Sequence, residues 1–405
     1  MLKLEMQFEA KKFDSSDVLG WIRQSLENEN VSNLNIQLNG SSDGKNNGFA
    51  SDMLFATATG VDQKGDKKDI RLAIKASKEF GHAASDDFLK LLFEREVLVY
   101  QQLFPTLKKF QQDKNITAPF DDAVPKCYKT FTSVDNASVI VLVLQDLNQL
   151  GYKLHDKMVS LDVRHIRLVL EQYSKFHALS FAFRDQRPEE FKAVAEKFFC
   201  HSEGITNGSH YSSVRAKISQ NLREASREDL ADQFEKVVDR GVKEMMVDIL
   251  RDEVEQSVII HGDCHSNNFM YRYEEGIPTK VMILDWQLSF QHSPILDLSY
   301  FLYQVAGENL NELRELLEFY HRELTKNLEA LGTDASKVFP FSSLLEHWEK
   351  YSFYGFIFTV VYLDLFFVEE GTKVMFGNSN MKIKYIEAYR RKLIPAVDNY
   401  CNYKL

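Results

Sequence analysis

The chain has 405 residues, 44% hydrophobic and 27% charged, with 59 acidic against 49 basic side chains and a formal net charge of -10. That length exceeds what one hydrophobic core usually supports, so two lobes or domains are expected. The acidic balance argues against a general nucleic-acid binder, because phosphate backbones need a basic face.

Along the chain, the N-terminal MLKLEMQFEAKKFDSS alternates charged and apolar residues and lacks the apolar run of a signal peptide. The first third reads as a sheet with one helix inserted. VSNLNIQL and FASDMLFATAT are strands separated by the turn-rich GSSDGKNNG. DIRLAIKAS then alternates, with Ile70, Leu72 and Ile74 on one face and Arg71, Ala73 and Lys75 on the other, predicting a half-buried strand that presents a lysine. SDDFLKLLFEREVLVYQQLF is helical in spacing, with Ser85 as N-cap and Phe88, Leu91, Leu92 and Val99 as its apolar positions. AVPKCYKTF and the β-branched ASVIVLVL are two further strands, and the latter stops at a polar hinge, QDLNQLGYK.

Beyond the hinge the pattern is helical: LDVRHIRLVLEQYSKFHALSFAF, an amphipathic region from about Ser212 to Glu255, and helices from Leu310 onwards. A division into 1–147 and 148–405 follows. The longest apolar stretch, YSFYGFIFTVVYLDLFFV, meets Asp364 after thirteen uncharged residues, which reads as a buried helix and not a membrane span. Cys127, Cys200, Cys264 and Cys401 lie far apart without a CxxC pair, so neither a disulfide framework nor a zinc ribbon is suggested, and a reducing, cytosolic setting fits.

One segment carries the chemistry. After VII, the polar HGDCHSNN leads into FMYRY, the turn EEGIP and TKVMIL, ending at Asp285. The turn makes a hairpin, and Asp263, Asn268 and Asp285 can converge at its open end, where three oxygen-bearing side chains suit Mg2+. Lys75, followed 21 residues later by Glu96 on a helix, can be held as a phosphate-binding lysine by an ion pair. Phosphoryl transfer needs little else, since it depends on positioning and charge neutralisation. In that scheme Asp263 orients the acceptor hydroxyl, Asn268 and Asp285 hold metal bridging the ATP phosphates, Lys75 neutralises phosphate oxygens and Ala73 leaves room for adenine.

These residues carry a resemblance. LAIK is similar to the lysine-bearing strand of protein kinases, HGDCHSNN resembles their catalytic loop, and LDW stands where their metal-binding D-F-G would be. The His-Gly-Asp form and SPILDLSYFL more closely resemble the aminoglycoside phosphotransferase and choline kinase group. Within it, FEREVLVY, LVLQDLNQLGY, SKFHALSFAFR, HGDCHSNNFMY, ILDWQLSF and SPILDLSYFL together resemble the ecdysteroid kinase-like, or CHK kinase-like, family over nearly the whole chain.

The resemblance implies an α+β, two-lobed protein kinase-like fold, with a small β-rich N-lobe containing one main helix and a larger, mostly helical C-lobe. It implies ATP- and Mg2+-dependent phosphorylation of a small-molecule alcohol, an ecdysteroid or a xenobiotic. Asp263 is then the catalytic base, Asn268 and Asp285 the metal ligands, and Lys75 with Glu96 the phosphate-binding pair. Gly48 and Ser51 become phosphate contacts of the nucleotide loop. The Leu147 N–H and Gln145 carbonyl face adenine, and Asp297 braces the catalytic loop. His261 is expected to support that loop, because a zinc cluster with Cys264 and His265 lacks a fourth ligand nearby. A non-catalytic nucleotide-binding pseudokinase and a choline- or aminoglycoside-type kinase are the alternatives. No obligate protein partner is evident. His177 is read as core, and the aromatic block around Tyr351–Phe367 as core, with a lining of the acceptor cleft as the alternative.

Overall fold

The computed structural model describes residues 15–41, 51–77, 84–116, 119–132, 139–206, 210–368 and 383–403. They divide into two compact units. The first comprises the described residues up to Gln101 together with 124–152, and the second comprises residues 102–123 and those from Lys153 onward.

In the first unit, α1 (Ser15–Ser25) precedes the strands β1 (Ser32–Ser41), β2 (Ser51–Val61) and β3 (Lys67–Ser77). α2 (Ala84–Leu98) follows, and β4 (Cys127–Thr132) and β5 (Ile140–Gln145) complete a sheet of order β1-β2-β3-β5-β4, antiparallel throughout. The period-2 alternation of β5 explains how both faces are covered. Val141 and Val143 join Leu72, Ile74 and the α1 residues Val18 and Ile22, while Ile140, Leu142 and Leu144 join Phe93 and Val97 of α2.

Two expectations change here. α1 is a second helix, anchored by Val18, Ile22 and the following Leu26 at four-residue intervals. The strand expected to be half-buried is covered on both faces, leaving Ala73 and Lys75 each 7% exposed.

α2 continues through a π-helical turn, Val99–Leu103, into α3 (Phe104–Asp113). Residues 102–123 pack with the second unit because their aromatic rings find partners there. Phe104 and Phe120 meet the edge of Trp286 at centroid distances of 5.0 and 5.8 Å, and Phe110 lies 5.4 Å from Phe183. Compactness therefore divides the chain at Tyr152, not at 147, and gives 102–123 to the second unit.

β6 (Tyr152–Leu154) leads to α4 (Val163–Gln186), capped by the Asp162 carboxylate accepting from His165 N at 3.0 Å. α5 (Pro188–Ala195) and α6 (Ser202–Thr206) follow. The amphipathic stretch expected over 212–255 is three helices, α7 (His210–Glu224), α8 (Glu228–Val237) and α9 (Val242–Arg251). Left-handed backbone at Ser226 and Gly241 turns the chain between them.

β7 (Val258–Ile259) enters the polar loop, and β8 (Phe269–Glu274) and β9 (Ile277–Ile283) form the expected hairpin, closed by Glu275 and Gly276 at positive φ. The remaining elements are β10 (Gln291–His292), α10 (Ile295–Val305), α11 (Leu313–Ala330), α12 (Ala335–Val338), α13 (Phe341–Tyr362) and α14 (Ile386–Asn402). α13 packs against α10 so closely that a Cβ on Gly355 would lie 2.0 Å from Tyr300 N. Tyr351, Phe353, Tyr354, Phe356, Phe358 and Phe367 are buried, as their reading as core requires, whereas Tyr362 and Phe366 are only half-buried. Among the described residues no helix is long and apolar enough to cross a membrane. With a sheet-based first unit and a second unit dominated by helices, the chain is α+β.

Candidate active site

In the first unit, Lys75 lies on the α2 face of the sheet, opposite Leu142 of β5. Its Nζ donates to Glu96 Oε2 at 2.7 Å, with only 1% of Glu96 exposed, and lies 5.5 Å from the Phe93 ring centroid. A buried charge is tolerated when paired. Glu94, the competing acid two residues earlier, instead faces Lys90 at 3.8 Å on the surface.

Ala73 pairs in register with Phe55 and Leu144. Gln145 N donates to Lys126 O at 2.9 Å, and Asp146 Oδ1 accepts from both the backbone and side-chain nitrogens of Asn148 at 3.0 Å. The Leu147 carbonyl accepts from Leu150 N and Tyr152 N, which shapes the hinge into a tight turn ending at Gly151. Gly48 lies outside the described residues. Ser51 opens β2, and its side chain lies outside the description.

In the second unit, the polar loop is organised around Asp297, which is fully buried at the start of α10. Its Oδ2 accepts from His261 N and its Oδ1 from Gly262 N, both at 2.8 Å, and Cys264 Sγ lies 3.2 Å from Oδ1. His177 Nε2 approaches Oδ2 at 3.1 Å, while His177 Nδ1 lies 2.8 Å from Tyr320 Oη. Burial alone would push the Asp297 carboxyl up; His177, with His261 and the Gly262 N–H, holds it below the ordinary aspartate value. Gly262 has φ +85°, and a Cβ there would lie 2.2 Å from Leu288 O, so the loop needs glycine at this point.

His261 is held on every side. Its Nε2 lies 2.8 Å from Leu284 O, its Nδ1 3.1 Å from Tyr173 Oη, and its ring centroid 4.6 Å from that of Trp286. Cys264 Sγ is also 3.0 Å from Tyr173 Oη, and burial pushes its thiol up, which keeps it protonated. Among the described residues, no group of three His, Cys, Asp or Glu side chains could hold a metal ion. His177, read from the sequence as core without a part in the loop, and Tyr173, given no role there, lie one turn apart on α4. Their only signal is a pair of polar-tipped rings on an otherwise apolar helix face.

At the open end of the hairpin Asn268 bonds to the Asp263 backbone, and Asp285 lies two residues beyond β9. Asn268 Nδ2 donates to the Asp263 carbonyl at 2.8 Å, and Leu284 N donates to the Asn268 carbonyl at 2.9 Å, just beyond the Phe269–Ile283 pair. Asp285 follows directly, held at φ +60°, a left-handed conformation that a non-glycine residue adopts only when its surroundings impose it. Asp263 and Asn268 are 8% and 5% exposed. His265, given no role from the sequence, places Nε2 3.5 Å from Asp263 Oδ1 and 3.4 Å from Asn268 Nδ2, with its ring 5.4 Å from Phe366.

The chain belongs to the ecdysteroid kinase-like family, whose profile matches residues 45–333, and this membership supports a small-molecule kinase. Among solved structures, an ethanolamine kinase from Plasmodium vivax is 14% identical, with 100% of this chain and 94% of that chain covered and a TM-score of 0.40. A GDP complex of a wild-type aminoglycoside 2'-phosphotransferase is 13% identical, with 96% and 100% covered and a TM-score of 0.43. A choline kinase from Streptococcus pneumoniae is 12% identical, with 94% and 99% covered and a TM-score of 0.36. No curated protein matches the chain significantly.

Proposed function

We propose that this protein is a Mg-ATP-dependent kinase that transfers the γ-phosphoryl group to a hydroxyl of a lipophilic alcohol, an ecdysteroid or a xenobiotic. The observation that carries the reading is the bond from Asn268 to the Asp263 backbone at the mouth of the hairpin that ends in Asp285. It supports a shared task for three oxygen-bearing side chains.

The donor chemistry fits the metal. With Nδ2 of Asn268 committed to Asp263 O, the carboxamide oxygen is the donor left for a cation, and Asp285 supplies a carboxylate oxygen. Two protein oxygens suit Mg2+, which keeps water and phosphate oxygens as its other ligands. Bound there, Mg2+ would neutralise charge on the nucleotide phosphates.

The other roles fall to the protein's own side chains. Lys75, held by Glu96, pairs with phosphate oxygens. Ala73, Gln145 and Leu147 take adenine, and Gly48 and Ser51 take phosphate, which makes the first unit nucleotide-binding. The second unit orients the acceptor. There the Asp263 carboxylate accepts the hydroxyl proton as the acceptor oxygen bonds to the γ-phosphorus and the bond to the β,γ-bridging oxygen breaks, releasing ADP. Asp297, with His261, fixes the loop that presents Asp263. Four free, well-separated cysteines suit a reducing cytosolic setting.

The test is detection of phosphorylated product by mass spectrometry, with purified protein, Mg-ATP and a panel of ecdysteroids, other sterols, plant glycosides, choline and aminoglycosides. Product from a lipophilic alcohol is expected. Mg-ATP binding without product from any acceptor would favour a nucleotide-binding pseudokinase instead.

A further inference from the structure

In the polar loop of the second unit, the two carboxylate oxygens of Asp263 have different surroundings. His265 Nε2 lies 3.5 Å from Oδ1, while among the described residues no hydrogen bond reaches Oδ2. The His265 contact is at the outer limit of a hydrogen bond. Catalytic pairs are often this long before a substrate draws them together.

Two bonds compete for Nε2. It also lies 3.4 Å from Asn268 Nδ2, so it either accepts from that amide, with the ring proton on Nδ1, or carries the proton and donates to Asp263. Nδ1 is buried and has no hydrogen-bond partner, so nothing on the far side of the ring fixes the tautomer. The choice falls to the partners of Nε2. A bond to a carboxylate is charge-assisted and roughly twice as strong as one between neutral groups. Asn268 Nδ2 already donates to the Asp263 carbonyl at 2.8 Å, so it is not orphaned when Nε2 acts as a donor.

The imidazole is steadied from its side. Its centroid lies 5.4 Å from that of Phe366, with the rings inclined at 59°. Phe366 ends the 3-10 turn Leu363–Phe366, in which Asp364 is ion-paired with Lys217 of α7.

We propose that His265 is a positioning residue whose Nε2–H donates to Asp263 Oδ1 and so leaves Oδ2 as the oxygen that takes the acceptor's proton. The inference rests on the kinase reading and adds to it which oxygen of Asp263 is the base. The bond keeps the carboxylate from turning about its Cβ–Cγ axis, and phosphoryl transfer draws on orientation of that kind.

The test has two arms on the full chain. Long-range proton–nitrogen correlation spectra of protein carrying isotope-labelled histidine, recorded at alkaline pH, report which ring nitrogen of His265 holds the proton, and they need neither acceptor nor nucleotide. Single-turnover transfer from Mg-ATP is measured on variants. His265→Phe keeps a ring against Phe366 and loses the N–H; His265→Gln puts an amide nitrogen where Nε2 stood, and His265→Asn puts one where Nδ1 stood. The expected result is the Nε2–H tautomer in the wild type, a rate lower by about tenfold or more in His265→Phe and His265→Asn, recovery in His265→Gln, and unchanged ATP affinity and Tm throughout. A proton on Nδ1 alone, a wild-type rate in His265→Phe, or equal losses in His265→Gln and His265→Asn overturns the assignment. Absence of product from the wild type with every acceptor would sink the kinase reading, and the spectrum alone would then decide the bond to Oδ1.

Discussion

Glu96 Oε2 accepts from Lys75 Nζ at 2.7 Å in the interior of the first unit, with both side chains almost wholly removed from water. Removing one partner leaves the other charge buried and uncompensated, a loss of about 3–5 kcal/mol. Glu96→Ala is therefore expected to lower unfolding stability by about 3 kcal/mol or more, read from urea denaturation, and to raise the KM for ATP. A loss below about 1 kcal/mol would mean that the pair behaves like a surface ion pair.

Asp297 makes a pH-dependent contribution whose sign follows from its environment. Its folded-state value is held below the ordinary one despite burial, by His177 and neighbouring donors. The stability it adds is present above the unfolded aspartate value of about 3.9 and is lost as pH falls through the lower folded value. Asp297→Asn should lower stability at pH 7 and flatten the dependence below about pH 4. Parallel acid profiles of the two proteins would contradict this.

Two histidines act in the same sense at higher pH. Burial pushes His292 down to about 4, and burial followed by nearby Lys350 does the same to His347. Both are neutral in the fold; His292 Nε2 lies 2.9 Å from Ile249 O, and His347 Nδ1 lies 2.9 Å from Ser293 Oγ. The unfolded chain takes up their protons first, so stability should fall as pH drops from about 6.5 towards 4. The urea midpoint of the wild type is expected to fall between pH 7 and pH 5, and His292→Gln should reduce that fall. An identical fall in the variant would count against His292.

Trp286, directly after Asp285, is fully buried among Phe104, Phe120, Phe176 and His261. Trp286→Ala should cost about 3–5 kcal/mol in thermal or chemical unfolding. It should also reduce turnover, since the ring that positions His261 is gone.

The polar loop was legible in the sequence because its functional groups sit within a few residues of each other and the hairpin turn is local. Lys75 and Glu96 were legible because strand alternation and helix spacing each place one of them. His177 was not, since its partner Asp297 lies 120 residues away and an apolar helix face gives no hint of a buried carboxylate. α1 escaped because three anchors at four-residue intervals make a weak pattern. The assignment of 102–123 to the second unit depends on Phe104 and Phe120 meeting Trp286, a contact over more than 160 positions that no local pattern encodes.

The most direct test of the central claim is single-turnover transfer from Mg-ATP to the best acceptor by wild type and Asp263→Asn, with ATP affinity measured on both. The account predicts a rate lower by about a thousandfold or more in Asp263→Asn, with ATP affinity unchanged. Transfer at the wild-type rate in that variant would contradict it.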